Sequence, residues 1–362
     1  MKRRKRILII KPSSLGDIFH TFPALEELRK AYPHAYFEWL VSPAFASAVE
    51  YCPGGVHRVI FFERRKLGNV FSFLPALIRL LKALRRHHYD VIIDFQGLLR
   101  SSICAYLAKG KTVVGWEHPK EALAAKFYTI KIADSDFPHA VDKNLHLVRT
   151  FLNQPDLPSP AEIKPLPVIQ GNKERIKAEL GNFKIDSHTE FVAIIPGTRW
   201  ESKRFPEKFY AELIDKLYAK RPGLHFVLIG GPDARKHAHV IRNLTNCPYV
   251  FSLAGKTHIG ELVELLRSAV CAIGADSGPL HIAAAVQTPC FCFYSSTDPV
   301  LTGPYGKNHK IYQRKDLPCI CCMERMCPEK HFSCHQLSTD EISSDIVAYI
   351  QTHGRPETQP QT

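Results

Sequence analysis

The chain has 362 residues, of which 45% are hydrophobic and 23% charged, enough apolar material for two ordinary cores and too much for a wholly disordered protein. Lys and Arg number 48 against 35 Asp and Glu, a formal net charge of +13 that attracts polyanions such as nucleic acid, anionic lipid or phosphorylated small molecules. No zinc-finger His pair or aromatic RNP-like string accompanies the charge, so the expected partners are phosphates on a lipid or small molecule, not nucleic acid.

Much of the charge is clustered. Lys2 to Arg6 form one basic run, Arg64, Arg65 and Lys66 a second, and Arg85 with Arg86 a third; each also reads as a solvated face or tail. The apolar run after the first cluster ends at Ile10, too short for the core of a signal peptide. No stretch approaches the roughly 18 apolar residues that span a bilayer. A cytoplasmic protein, at most peripheral to a membrane, is expected.

In chain order, RILIIK (6–11) is a β-rich run, followed by a Ser/Gly turn and an amphipathic stretch to Lys30. AYFEWLV (35–41), HRVIFF (57–62) and, after a long basic amphipathic segment, YDVIIDF (89–95) are further strands. Near-continuous apolar strands between helical patterns predict a parallel sheet covered on both faces. Five prolines between Pro155 and Pro167 predict an interdomain linker. The pattern then restarts with EFVAIIPG (190–197), LHFVLIGGP (224–232), YVFSLAG (249–255), CAIGADSG (271–278) and CFCFYSS (290–296), with helices at 206–220 and 259–268. The domains are therefore expected at 1–154 and 188–337. A linker and lead-in occupy 155–187, and a helix with a polar tail occupies 338–362. Ligands of such sheets bind at the carboxyl ends of the strands.

Three turns carry candidate chemistry. In KPSSLGDIFH (11–20), Ser13, Ser14 and Gly16 open onto a helix start, where free N–H groups suit an anion. Asp17 there is either an N-cap or a general base facing a ligand, and His20 either orients it, contacts phosphate or is a satisfied helix histidine. IIPGTRWESKRFP (194–206) presents Thr198, Arg199, Lys203 and Arg204, which suit a diphosphate or simply a basic loop. GADSGPLHIAA (274–284) leads Asp276, Ser277 and Gly278 into a helix carrying His281; a plain strand-to-helix turn uses the same residue types. In LIGGPDA (228–234), Asp233 is placed to bind ribose hydroxyls. P-loop and G-x-G-x-x-G signatures are absent, since Val250 stands where a P-loop ahead of Gly255 and Lys256 needs its leading glycine.

Together KPSSLGDIFHTFPAL, DFQGLLRSS (94–102), PGTRWESKRFP, GADSGPLHIAA, FYSSTDPVLTGPYG (293–306) and the closing cysteines resemble the ADP-heptose:lipopolysaccharide heptosyltransferase family, in order along nearly the whole chain. The SSLGD form looks closest to members that add the first heptose. The resemblance implies an α/β fold of the GT-B type, two Rossmann-like doubly wound domains facing across a cleft. It implies inverting transfer of heptose from ADP-heptose to the lipopolysaccharide inner core, without a required metal, at the cytoplasmic surface of the inner membrane. Asp17 is then the general base, with Lys203 stabilising the departing diphosphate. Thr198, Asp276, Ser277, Gly278 and His281 take the donor, together with Asp233. Ser14, Gly16, His20, Arg64, Arg65, Lys66, Gln96 and Lys120 take the acceptor.

Cys319, Cys322, Cys327 and Cys334 follow C-x2-C-x4-C-x6-C, with Cys321, His331 and His335 nearby. They could hold a structural zinc, or be packed free thiols or a redox-labile loop. Three rival functions stay open on sequence: a nucleotide-sugar epimerase of similar architecture, a transferase using another nucleotide sugar, and a non-catalytic binder of anionic lipid or nucleic acid.

Overall fold

The computed structural model describes residues 3–154 and 164–353, so most of the expected Pro-rich linker and the polar tail lie outside the described residues. The chain divides into two compact units, Met1–Pro167 and Val168–Thr362.

The first unit is built on six strands: β1 (Arg6–Ile10), β2 (Tyr36–Val41), β3 (Arg58–Phe61), β4 (Val91–Asp94), β5 (Thr112–Trp116) and β6 (Ile130–Ile132). They pair in the order β3-β2-β1-β4-β5-β6, and all pairs are parallel. Ile7, Leu8, Ile9 and Ile10 of β1 are buried without interruption, as a central strand covered on both faces requires. A core of Leu8, Ile10, Leu40, Ile92 and Val113 continues into Leu80 and Leu84 of the helix Val70–Leu84.

The second unit repeats the arrangement with β7 (Phe191–Ile195), β8 (His225–Leu228), β9 (Val250–Ser252), β10 (Cys271–Ala275), β11 (Cys290–Tyr294) and β12 (Lys310–Gln313), in the order β12-β11-β10-β7-β8-β9. Read from the other edge this is the same winding: the first strand of each unit pairs with its second on one side and its fourth on the other. The chain direction across each sheet thus reverses between β1 and β4, and between β7 and β10. Such a switch point opens a crevice beyond the strands' carboxyl ends. The helices Glu207–Lys220 and Thr339–His353 pack together on this unit, where Ile214, Leu217, Ile342 and Ile346 join its core.

The expected α/β fold of two Rossmann-like domains holds. β5, β6 and β12 are additions to the strands expected from sequence. Among the described residues, no helix is long and apolar enough to cross a membrane.

Candidate active site

In the first unit, β1 and β4 end side by side, with Ile10 opposite Asp94. Past β1 the chain turns at Ser14, the N-cap of the short helix Leu15–Phe19. Asp17 is the third residue of that helix, and one of its carboxylate oxygens accepts from the Ser14 amide at 2.9 Å and the Ser14 hydroxyl at 2.7 Å. The cap alternative is thereby corrected in detail: Ser14 caps, and Asp17 reaches back to it. Burial opposes ionisation of Asp17. The buried Lys11 ammonium, the Ser14 amide, His20 and the Ser14 hydroxyl outweigh it, holding the carboxyl well below the usual range. Gly16 and His20 are buried, and the His20 ring lies edge-on to His139 with centroids 5.5 Å apart.

Past β4, Asp94 is fully buried and organises the next turn. It accepts from the Gln96 and Gly97 amides (2.9 and 3.3 Å), from the Ser101 hydroxyl (2.8 Å) and from the Tyr128 phenol (2.8 Å). Burial pushes its pKa up against all four donors. Gly97 has φ +65, in the left-handed region that favours glycine, so the turn takes its course at a residue without a side chain. The Gln96 side chain in turn accepts from the Ser13 amide at 3.4 Å, tying this turn to the one that carries Asp17. Gln96, Gly97, His118, Lys120 and Lys143 line an open pocket of about 340 Å³. Gln96 and Lys120 are thus brought to one pocket. Arg64, Arg65 and Lys66 do not line it; they are exposed on the turn after β3, and Lys66 pairs with Glu63 at 2.5 Å.

In the second unit the loops after β7, β10 and β11 meet on one carboxylate. Asp276, buried past the end of β10, takes Lys203 Nζ at 2.6 Å and the Thr297 hydroxyl at 2.8 Å on one oxygen, and His281 Nε2 at 3.3 Å on the other. Burial would raise its pKa, but hydrogen-bonded His281 and the Lys203 ammonium hold it well below the usual range. Lys203 also lies over the Trp200 ring, 4.3 Å from its centroid. Thr198 is buried and donates to the Trp200 carbonyl at 2.8 Å. Phe205 anchors the loop in the core against Phe293, with centroids 5.2 Å apart. Ser277 is the N-cap of the helix Gly278–Ala285, and its buried hydroxyl has no hydrogen-bond partner among the described residues. Gly278, at the first position of that helix, and the unpaired hydroxyl beside it form a donor set suited to a phosphate oxygen. Asp233 is exposed at the head of the helix Ala234–Leu244, on the separate turn after β8.

The cysteine-rich loop packs behind this cluster. Ser202, next to Lys203, is held by the Arg325 and Glu324 main chain and by His335, whose Nε2 lies 2.8 Å from the Ser202 carbonyl. Cys319, Cys322, Cys327 and Cys334 line one small pocket with His331. Of the three readings of these cysteines, the zinc alternative finds no assembled ligand set: among the described residues, no group of three or more His, Cys, Asp or Glu side chains could hold a metal ion. The loop is instead fixed by main-chain bonds, with Cys319 and Cys322 exposed.

Sequence reasoning did not single out Lys11, Asp94, Ser202 or Thr297. Each lies inside a segment that carries the family resemblance or borders a candidate residue, but each also has a partner far off in sequence: the Phe95 carbonyl for Lys11, the Tyr128 phenol for Asp94, the Glu324 carbonyl for Ser202 and Asp276 for Thr297.

The profile of glycosyltransferase family 9 (heptosyltransferase) matches residues 77–333, well over half of the chain. The chain belongs to this family. As a family 9 glycosyltransferase it is 28% identical to lipopolysaccharide heptosyltransferase 1 of Pseudomonas aeruginosa over 331 residues, 89% of this chain and 87% of that protein. It is 30% identical to lipopolysaccharide heptosyltransferase 1 of Escherichia coli K12 over 312 residues, 84% and 92% of the two chains. The solved structure of E. coli heptosyltransferase WaaC with ADP superposes with a TM-score of 0.74 at 27% identity, covering 95% of this chain and 99% of that one. Membership of a glycosyltransferase family sets aside the epimerase and the non-catalytic binder.

Proposed function

We propose that this enzyme transfers heptose from ADP-heptose to the lipopolysaccharide inner core, inverting the anomeric centre. The observation that carries the reading is the content of the two switch points: a carboxylate held ionised in one unit, and a lysine, hydroxyls and a helix N-terminus gathered around Asp276 in the other. The names of the relatives, and the ADP in the E. coli structure, support the donor and acceptor class.

Asp17 accepts the proton of the attacking acceptor hydroxyl, and Ser14 fixes the carboxylate that receives it. The bond from the sugar to ADP then breaks, and negative charge grows on the diphosphate. Lys203, Thr198, the Ser277 hydroxyl and the amides from Gly278 onward are the groups available to stabilise it. His281 and Asp276 position Lys203. Gln96 and Lys120, in the 340 Å³ pocket, suit the carboxylates and phosphates of an inner-core acceptor. Asp233 suits ribose hydroxyls. No step is assigned to a metal. A lipid-linked acceptor puts the enzyme at the cytoplasmic face of the inner membrane.

The test is transfer from ADP-heptose to Kdo-lipid A, with donor and acceptor each omitted in turn. Product requiring both is expected, and Asp17→Asn should lower turnover by roughly a hundredfold to ten-thousandfold while the chain stays folded. Near-normal turnover in Asp17→Asn would remove Asp17 as the base. Product only with an already heptosylated acceptor would move the acceptor one sugar outward, and product only with another nucleotide sugar would replace the donor.

A further inference from the structure

The helix Val70–Leu84 is apolar on two opposite sides. Ala76, Leu80 and Leu84 face the first unit's core. At 100° per residue, Phe71, Leu74 and Ile78 fall on the other side. These outward residues are uncovered: Phe71 is 95% exposed, Leu74 61% and Ile78 44%, and Val70 at the helix start is 89% exposed. A surface helix ordinarily turns charged or polar residues to water there, so an unpartnered apolar stripe marks a contact surface.

The charge around the stripe selects the partner. Residues 64–88 hold seven Lys and Arg and no Asp or Glu. Lys66 and Arg79 share Glu63, just before the segment. Arg64, Arg65, Lys82, Arg85 and Arg86 are exposed, and Lys82 and Arg85 continue the apolar stripe at its carboxyl end. A second copy of this chain would bring two such basic surfaces together and repel. A surface that is apolar at the centre and cationic at the rim matches the boundary between the acyl chains and the anionic headgroups of a bilayer.

We propose that the outer face of the Val70–Leu84 helix docks onto an anionic lipid bilayer. Phe71, Leu74 and Ile78 enter the headgroup region, and the flanking cations meet lipid phosphates. The surface also deepens the proposed function, since it would hold the first unit against the membrane that carries a lipid-linked acceptor.

The experiment is flotation of the full chain with vesicles of phosphatidylcholine alone, or of phosphatidylcholine with phosphatidylglycerol, at low and high salt. Binding is expected to the anionic vesicles and to weaken with salt. The double variant Phe71→Glu, Leu74→Glu should lose about tenfold or more of that binding. Because both side chains are solvent-exposed, its heptose transfer to a de-acylated, water-soluble Kdo acceptor should equal the parent's. Flotation of the double variant equal to the parent's would overturn the proposal, as would a parent that ignores anionic vesicles or floats equally well on neutral ones. If the parent transfers heptose to neither acceptor yet floats as described, the proposed function fails and the docking surface stands.

Discussion

Asp276 holds together residues far apart in sequence, and its ionisation is what makes the arrangement stable. Lys203 and Thr297 share one of its oxygens and His281 sits at the other. An aspartate whose folded pKa lies below the ordinary 3.8 stabilises the fold above that pH, and the contribution is lost as pH falls through the folded value. Asp276→Asn should therefore cost roughly 3–5 kcal/mol near neutrality, the range for a broken buried ion pair. The deficit relative to the parent should stay level over about pH 5–8 and shrink below about pH 4. Urea unfolding of both proteins across that range measures it. A deficit that grows on acidification would mean that the carboxyl is not held ionised by Lys203 and His281. The same sign holds for Asp17, which stays ionised through the mildly acidic range, so an acid limb in turnover near pH 5–6 would have to come from another group.

At the scale of the element, the turn after β4 depends on a carboxylate that never reaches solvent. Asp94→Ala would leave the amides of Gln96 and Gly97, the Ser101 hydroxyl and the Tyr128 phenol without their acceptor. A loss of about 3–5 kcal/mol in unfolding free energy is expected. Asp94→Asn, which keeps an acceptor oxygen, should lose less. Equal losses would show that charge, not hydrogen bonding, is what the turn needs. This element also shows what a sequence exposes and what it hides. VIID is an apolar strand between turn residues and is legible as such, as are β1, β7, β10 and β11, because both-sided burial demands a near-continuous apolar run; β2 is legible in spite of the buried Glu38 that interrupts its run. β6 and β12 are not legible: Ile130, Lys131, Lys310 and Ile311 are exposed at sheet edges, where burial imposes no such pattern. Within the site, Asp17, Lys203 and Asp276 could be nominated because each follows a strand. That Lys203 and Thr297 converge on Asp276, or that His335 supports Ser202, depends on which strands become neighbours, and strand order is not written in any local pattern. The four cysteines carry ligand-like spacing, but spacing alone does not decide whether their side chains converge: they line one small pocket, and among the described residues they form no group that could hold a metal ion.

At the scale of the whole molecule, one winding is used twice, each time around its own core. The first unit's core runs through Ile10, Ile92 and Leu84, and the second's through Phe205, Phe209 and Phe293. If the second unit alone takes the nucleotide, ADP should stabilise that unit and leave the other unmoved. At a hundred times its dissociation constant a ligand contributes about 2.7 kcal/mol, which for a unit of this size raises the melting temperature by roughly 5–10 °C. Scanning calorimetry with and without ADP reads this directly, and two core variants identify the transitions. Phe205→Ala, which should cost about 3–5 kcal/mol, lowers the transition of the second unit. Asp94→Ala lowers that of the first. ADP is expected to raise the transition that Phe205→Ala lowers. A nucleotide that instead raises the one sensitive to Asp94→Ala would transfer the donor site to the first unit, and the roles assigned to Lys203, Ser277 and Asp276 would fall with it.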